Sequence, residues 1–226
     1  MRDTLIDLFD REFVESQEAS GITVFGQFRD LDDPDRFVWI RGFRDMPARA
    51  AALSAFYGGS AWRSNKVQAN ATMIASDDVL LLRPANPGAG LPFVRRTRLA
   101  ATGDAVSAGL FTVAIHYLNP AASGDFVAFF ERSMKPALTA AGSTIVGYFV
   151  TEGSANNFPA LPVREGENVC VVISRFASEQ AYENHLAALS HSADWCGERA
   201  GEFHALLQKL SDLRRLSPTA RSRMQV

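Results

Sequence analysis

The chain has 226 residues, of which 47% are hydrophobic and 21% are charged, and its 23 basic and 25 acidic residues give a formal net charge of −2. This composition is typical of a globular protein and excludes a disordered chain. A near-neutral chain lacks the overall field that attracts nucleic acid or an anionic membrane, and no apolar stretch reaches the roughly 20 residues that cross a bilayer. We therefore expect no nucleic acid and no membrane among its partners.

The first part of the chain predicts a helix followed by strands and further helices. Apolar residues recur at helical spacing up to Gly21, which stands where a helix end favours a left-handed residue. Runs of β-branched and aromatic residues predict strands over 22–28 and 37–43. Three more elements follow: an alanine-rich helix over 46–56, a helical turn that opens at Trp62, and a strand over 79–83.

The same order of elements returns later in the chain. An offset of 121 residues aligns Gly21 with Gly142, and an offset of 133 aligns Ile40 with Ile173. The 12 additional residues fall between 149 and 170, where glycine, asparagine and proline predict a surface loop. The elements of this second copy are strands over 110–118, 144–150, 169–176 and 213–217, helices over 126–138 and 179–189, and a helical turn at Trp195.

The repeat divides the chain into a first unit over residues 1–86, a linker over 87–108 and a second unit over 109–220. Each unit has the order strand, helix, strand, strand, helix, strand, but the first strand of the first unit would precede residue 1. We therefore expect Met1 to be an internal methionine or the start of a truncated chain. Three basic residues of the linker, which we interpret as part of a solvated connector, are Arg95, Arg96 and Arg98.

A sheet with helices on one side leaves its other side bare, and the bare sides of the two units can cover each other. Strand alternation separates two sets of side chains over residues 37–43. We expect Val38 and Ile40 to pack under the helices and the larger residues to face the other unit. The residues expected on this inter-unit face are Phe37, Trp39, Arg41 and Phe43 in the first unit and Cys170, Val172, Ser174 and Phe176 in the second.

The first unit also carries a string of residues that resembles a known family. The string comprises Phe37-Val38-Trp39-Ile40-Arg41-Gly42-Phe43, Ala48-Arg49, Ala55-Phe56-Tyr57-Gly58-Gly59, Trp62, Ala69-Asn70-Ala71-Thr72-Met73 and Leu80-Leu81-Leu82-Arg83-Pro84. It resembles the NIPSNAP family of the dimeric α/β barrel, or ferredoxin-like, superfamily. The resemblance implies an α+β fold in which tandem ferredoxin-like units form a pseudo-dimer, with antiparallel sheets face to face and helices outside. Related barrels include cofactor-free monooxygenases, haem-degrading enzymes and stress-response proteins, and the family has no agreed catalytic residue.

Arg41 is the strongest candidate for a ligand-binding residue. A guanidinium group binds a carboxylate through a fork of hydrogen bonds, and this one lies between the aromatic residues Trp39 and Phe43. An ion pair within the protein is the alternative interpretation of the same arginine. Two further polar residues, Gln27 and Ser174, complete the predicted ligand-binding set.

His116 and Tyr148 are the candidate catalytic residues. His116 lies in the first strand of the second unit, and Tyr148 is the counterpart of Gln27 in the repeat. If they converge with Arg41 inside the barrel, the three offer a proton acceptor, a hydroxyl and a cation. A histidine that is simply hydrogen-bonded in the interior is the alternative.

We expect no metal ion and no cofactor. His185 and His191 are six residues apart and off a common helical face, and no acidic residue completes a usual zinc set. The segment Tyr57-Gly58-Gly59 predicts a helix cap, since a phosphate-binding loop needs a strand before it and a helix after it. Two cysteines, Cys170 and Cys196, indicate a reducing cytoplasm, and the apolar run around Cys170 predicts a small core residue.

Three classes of function stay open. We favour a protein that binds a small, largely apolar molecule between the sheets, with one anionic or carbonyl group near Arg41. The alternatives are a cofactor-independent monooxygenase or isomerase that uses His116 or Tyr148, and an interaction scaffold with a filled interior. The edge left by the missing strand also predicts a homo-oligomer, because another chain can pair with it.

Overall fold

The structure is a computed structural model that describes residues 1–92, 109–192 and 197–225. Some predictions concern residues outside these ranges, namely Arg95, Arg96, Arg98, Trp195 and Cys196. One sheet contains the strands β1 (Thr23–Asp30), β2 (Phe37–Gly42), β3 (Leu82–Pro84), β4 (Leu110–Tyr117), β5 (Thr144–Thr151), β6 (Val169–Phe176) and β7 (Asp212–Pro218). The helices are α1 (Arg2–Leu8), α2 (Val14–Ala19), α3 (Met46–Gly58), α4 (Ser60–Thr72), α5 (Ser123–Phe129), α6 (Lys135–Ala140), α7 (Glu179–Ser190) and α8 (Glu198–Leu206). Within the described ranges, no helix has the length and apolar character needed to cross a membrane.

The helices that open the two units have the same irregularity. A π-helical turn over Phe9–Phe13 joins α1 to α2, and another over Phe130–Met134 joins α5 to α6, 121 residues later. After the end of each of these helices, the chain turns at a glycine with positive φ, +90° at Gly21 and +97° at Gly142. Only glycine adopts this left-handed conformation without a steric cost, which explains why the repeat aligns these two positions.

A glycine and the phenylalanine two residues after it shape the second strand of each unit. Gly26 lies at a bulge in β1, and Gly147 lies at a bulge in β5. A Cβ atom on Gly26 would lie 2.5 Å from the ring of Phe28, and one on Gly147 would lie 3.0 Å from the ring of Phe149. Because glycine has no side chain, the rings of Phe28 and Phe149 can each lie over the glycine of the same strand.

The strand order of the sheet is β2-β1-β7-β4-β6-β5-β3, and every neighbouring pair is antiparallel. The strands of the second unit lie side by side as β7-β4-β6-β5, with helices between them in the chain, as in a ferredoxin-like unit. β7 also pairs with β1 of the first unit, and β3 of the first unit pairs with β5 of the second. These pairings confirm the predicted antiparallel α+β fold with ferredoxin-like topology and helices outside. The strands of the two units form one curled sheet of seven strands in the described part of the chain.

Separate cores hold the layers together. One lies under the helices of the first unit and another under the helices of the second. A third lies on the inner side of the sheet and draws on both units, with Phe28 from β1, Leu216 from β7, Phe111 from β4 and Ile173 from β6. The sheet therefore curls around this inter-unit core, and the two units bury each other's inner sides.

The prediction of which side chains face the other unit is wrong for both units. Trp39 and Phe43 pack with the helices of the first unit, whereas Val38 and Ile40 belong to the inter-unit core. Val172 likewise packs under the helices of the second unit. The reason is that both sides of these strands are buried: alternation then separates two sets of side chains but does not say which set faces the helices.

The loop over residues 152–168 connects the units instead of lying only on the surface. Its residues Phe158 and Leu161 pack against the core under the helices of the first unit. Arg164 donates a hydrogen bond to Asp78 Oδ1 of the first unit at 3.3 Å and another to the Tyr117 hydroxyl of the second unit at 2.9 Å. The residues that the second copy has in addition therefore contribute to the contact between the units.

Candidate functional site

Arg41 lies near the end of β2 on the side that faces the helices. Its Nη1 donates hydrogen bonds to Gln17 Oε1 of α2 at 3.2 Å and to the Tyr57 hydroxyl of α3 at 3.5 Å. Trp39 lies on the same side because alternate residues of a strand share a side. The predicted position of Arg41 between the sheets is therefore wrong, although its predicted aromatic neighbours Trp39 and Phe43 do belong to the same cluster under the helices.

Arg49 brings a second guanidinium group to this place. It lies in the first turn of α3, which Asp45 caps by accepting a backbone hydrogen bond at 2.7 Å. Arg49 is only 3% exposed, and its Nη1 donates to the Oδ1 atoms of Asn156 and Asn157 at 3.1 and 2.8 Å. Burial, and then the neighbouring charge of Arg41, lower the pKa of Arg49.

We call Arg41 and Arg49 the guanidinium pair. Within the part of the chain that the structure describes, no carboxylate oxygen lies within 4.0 Å of either group. The hydrogen bonds of the pair go instead to the uncharged oxygens of Gln17, Tyr57, Asn156 and Asn157. A buried positive charge without an acidic partner is energetically unfavourable, so an anion bound at this place would relieve the cost.

Aromatic rings lie on one side of the guanidinium pair, beginning with Tyr57, whose hydroxyl accepts a hydrogen bond from Arg41. The Tyr57 ring lies 4.9 Å from the ring of Trp62 and stacks on Phe158 at 5.7 Å with an interplanar angle of 20°. Tyr57, Trp62 and Trp39 are partly exposed, so this aromatic wall is accessible from outside. The combination of apolar rings with a few converging polar groups is typical of sites that bind small molecules.

The second unit lacks the two guanidinium groups of this site. At offsets of 121 and 133, the residues Gln17, Arg41, Arg49 and Tyr57 correspond to Leu138, Ser174, Tyr182 and Ser190. Residues that both copies share maintain the common fold, whereas charged and hydrogen-bonding side chains that differ between the copies are candidates for function. This comparison within the sequence was the signal that could have added Arg49 and Tyr57 to the predicted site.

Of the other two predicted ligand-binding residues, Gln27 lies in the same unit as Arg41 and Ser174 lies in the other unit. Gln27 is fully buried on β1, directly opposite Trp39 in the strand register, and its Nε2 donates to Asp10 Oδ1 at 3.2 Å. Ser174 lies on β6 of the second unit and is 6% exposed. The structure therefore places Gln27 beside the aromatic cluster but leaves Ser174 in the other unit.

His116 lies under the helices of the second unit. Its ring is 5.2 Å from the ring of Phe126 and 5.4 Å from that of Phe203, and its Nδ1 is 2.8 Å from Ser211 Oγ. Burial lowers the pKa of His116 to about 4, so the imidazole is neutral at physiological pH. These surroundings match the alternative in which the histidine is hydrogen-bonded in the interior.

Tyr148 faces the same helices from β5, and its hydroxyl donates a hydrogen bond of 2.5 Å to Glu131 Oε1. Burial, and then Glu131, raise the pKa of Tyr148. β6 separates the strand of Tyr148 from that of His116. Arg41 lies under the helices of the first unit, and the three residues therefore do not converge inside the barrel.

Cys170 is the small core residue that the sequence predicts, because it is fully buried and burial raises the pKa of its thiol to about 12. In a Cys196→Ser variant, which leaves Cys170 as the one thiol of the chain, we expect no reaction with a disulfide reagent at pH 8 in the native state. The thiol should react fully once the protein is unfolded in urea. Fast reaction of the native variant, measured by absorbance of the released thiolate, would contradict this burial.

Comparison with solved structures finds proteins of similar fold at low sequence identity. No family model and no curated protein matches the sequence. Among solved structures, a candidate monooxygenase from Fusobacterium nucleatum is 9% identical, with 100% of this chain and 91% of that chain covered and a TM-score of 0.53. A candidate monooxygenase from Lactobacillus acidophilus is 11% identical, with 99% and 90% covered and a TM-score of 0.51.

A NIPSNAP-like domain protein from Burkholderia xenovorans is also similar, at 18% identity over 53% of this chain and 93% of that chain, with a TM-score of 0.43. This chain has the paired ferredoxin-like fold. At such low identities the likeness concerns the fold alone, and it assigns no activity to the guanidinium pair.

Proposed function

We propose that the first unit binds a small molecule that has an anionic group, such as a carboxylate, on a flat apolar body. The observation that carries the proposal is the guanidinium pair, which has uncharged partners and no carboxylate within 4.0 Å in the described part of the chain. The anion would accept hydrogen bonds from Arg41 and Arg49, and the apolar body would lie against Trp39, Tyr57 or Trp62.

This proposal keeps the ligand class that the sequence suggests and changes its location. The inner side of the sheet offers packed apolar residues such as Phe28 and Leu216, which are 1% and 0% exposed. The helix-facing side of the first unit combines charge, hydrogen-bonding groups and accessible rings. It therefore supports binding better than the space between the sheets does.

An enzymatic function of the monooxygenase or isomerase type has weaker support. Some structural neighbours are described as candidate monooxygenases. Catalysis in this chain would require a reactive group within reach of the bound molecule, and His116 and Tyr148 lie under the helices of the other unit. Binding is therefore the function that the geometry supports best.

Benzoate is a suitable probe, because it joins a carboxylate to an aromatic ring. We expect it to quench the fluorescence of Trp39 and Trp62 in a saturable titration, whereas benzamide, which has the same ring without the charge, should bind at least about tenfold more weakly. Replacing Arg41 in an Arg41→Met variant should weaken benzoate binding by about tenfold or more, the effect of losing a hydrogen bond to a charged group.

Arg44→Met is the matched control. Arg44 lies three residues after Arg41, its side chain is 85% exposed, and it pairs with Asp45 at the surface. This variant should bind benzoate as the wild type does. Equal affinity of the wild type and the Arg41→Met variant, with both shown to be folded by circular dichroism, would refute the proposed site.

A further inference from the structure

The loop over residues 152–168 of the second unit reaches the guanidinium pair of the first unit from two anchors. At its start, the backbone N–H of Glu152 donates a hydrogen bond to Leu81 O at 2.9 Å. Further along, the backbone N–H of Arg164 donates to Val79 O at 2.8 Å. The residues between these two anchors can therefore change position while the anchors stay in place.

We call residues 156–161, which lie between the anchors, the loop tip. Three hydrogen bonds within the tip hold its shape. Asn156 Nδ2 donates to Leu161 O at 3.0 Å, and Asn156 Oδ1 accepts from the backbone N–H of Phe158 at 3.1 Å. The backbone N–H of Leu161 donates to Phe158 O at 3.0 Å. The loop tip is therefore a preformed unit that lies against the first unit as one body.

Two asparagines of the loop tip present oxygen atoms to Arg49. Its Nη1 donates to Asn156 Oδ1 at 3.1 Å and to Asn157 Oδ1 at 2.8 Å. The amide nitrogens are engaged elsewhere, because Nδ2 of Asn156 donates to Leu161 O and Nδ2 of Asn157 donates to Met46 O at 2.6 Å. Each asparagine therefore offers Arg49 an acceptor oxygen, as a bound carboxylate would.

The loop tip uses the same groups that an anionic ligand would use. Nη1 of Arg49 carries two hydrogens, and the two asparagine oxygens accept both, so an anion that binds Nη1 must replace these oxygens. The ring of Phe158 stacks on the ring of Tyr57 and covers one face of it, against which an apolar ligand could lie. The loop tip and a bound anion therefore compete for Arg49 and Tyr57.

We propose that the loop tip is an internal competitor of the ligand, which closes the anion site in the absence of ligand and moves away when an anion binds. This inference rests on the proposed anion site and adds its regulation. Binding then includes the free energy of opening the tip, so the affinity depends on the loop as well as on the guanidinium pair. The tip lies among the residues that the second copy has in addition, and it thus makes a segment of one unit control the site of the other.

Two substitutions of Asn157 should change the affinity for benzoate in opposite directions. Asn157→Ala removes an acceptor that competes for Arg49, so it should tighten benzoate binding by about threefold to tenfold, which corresponds to the net value of one hydrogen bond. Asn157→Asp places a carboxylate of the chain beside Arg49 and should weaken benzoate binding by at least about tenfold. An asparagine that only supports the site would give weaker binding in both variants. Quenching of tryptophan fluorescence in a benzoate titration measures each affinity.

Hydrogen–deuterium exchange follows the loop tip itself. Saturating benzoate should speed the exchange of the Phe158 and Leu161 amides by about tenfold, the factor that corresponds to one lost hydrogen bond to a charged group, without affecting the anchored amide of Arg164. Arg49→Met, shown to be folded by circular dichroism, should have the same effect without benzoate. Ser154→Ala is the matched control, because Ser154 is exposed on the same loop and its hydroxyl donates to Glu152 within that loop. This control should bind benzoate and exchange as the wild type does.

The failure of one proposal can be told from the failure of the other. Saturable benzoate binding by the wild type, with equal or weaker binding by Asn157→Ala or with unchanged exchange in the loop tip, would overturn the internal competitor and keep the anion site. Absence of benzoate binding in both the wild type and Asn157→Ala would overturn the anion site and the competitor together.

Discussion

Replacing Leu216 by alanine is expected to lower the free energy of unfolding by about 2–5 kcal/mol, the usual cost of truncating a leucine in a closed core. Leu216 is fully buried in the inter-unit core. Its strand β7 pairs with β1 of the first unit and with β4 of the second, so the cavity would be lined by both units. Urea unfolding followed by circular dichroism measures the change.

Leu213→Ala is the matched control on the same strand. Leu213 is 52% exposed and lies three residues before Leu216, which places its side chain on the opposite side of the sheet. The two substitutions change strand propensity equally, and the control should change the free energy of unfolding by no more than about 1 kcal/mol. Comparable losses in both variants, or an unfolding curve of Leu216→Ala with two separate steps in which only one unit is affected, would contradict a core shared by both units.

Acid should destabilise the protein through His116. Burial lowers the pKa of His116 to about 4 in the folded state, whereas an unfolded chain has the ordinary value of 6.5. Between these two values the unfolded state binds more protons than the folded state, so the free energy of unfolding falls as the pH falls from 6.5 to about 4. The full loss corresponds to about 3 kcal/mol, at 1.36 kcal/mol for each pH unit between the two values.

A His116→Asn variant isolates this effect. Asparagine keeps a hydrogen-bonding group near Ser211 but does not titrate, so the variant should lose less stability between pH 6.5 and pH 4 than the wild type. Burial also lowers the pKa of His185. This residue is present in both proteins, so its contribution to the pH dependence cancels in the comparison. Urea unfolding at several pH values measures both slopes, and identical slopes would show that His116 does not carry the acid sensitivity.

Much of the fold follows from local features of the sequence. Gly21 and Gly142 mark the same helix end in the two copies, because each requires a positive φ that other residues rarely adopt. The strands of residues 37–43 and 169–176 were visible as apolar runs, and they agree with β2 and β6. The same repeat located the additional loop residues of the second copy, which lie between β5 and β6.

Part of the candidate site could also be predicted. The sequence predicts a site at Arg41, a cation between two aromatic residues, and Trp39 and Phe43 both pack in the core under the helices of the first unit. Arg49 belongs to the string that resembles the family, but it is absent from the predicted ligand-binding set, because a single arginine in the first turn of an alanine-rich helix indicates no ligand by itself. Its partners Asn156 and Asn157 lie more than 100 residues away, at sequence separations of 107 and 108, and no local pattern connects residues at such a distance.

The sequence by itself determined the periodic order of helices and strands, the duplication of that order and the positions where only glycine fits, because these depend on contacts between residues near each other in the chain. Only the tertiary structure decided which side of β2 meets the helices and which polar groups surround Arg41. Both sides of that strand are buried, so hydrophobicity favours the two orientations equally, and packing against distant segments makes the choice.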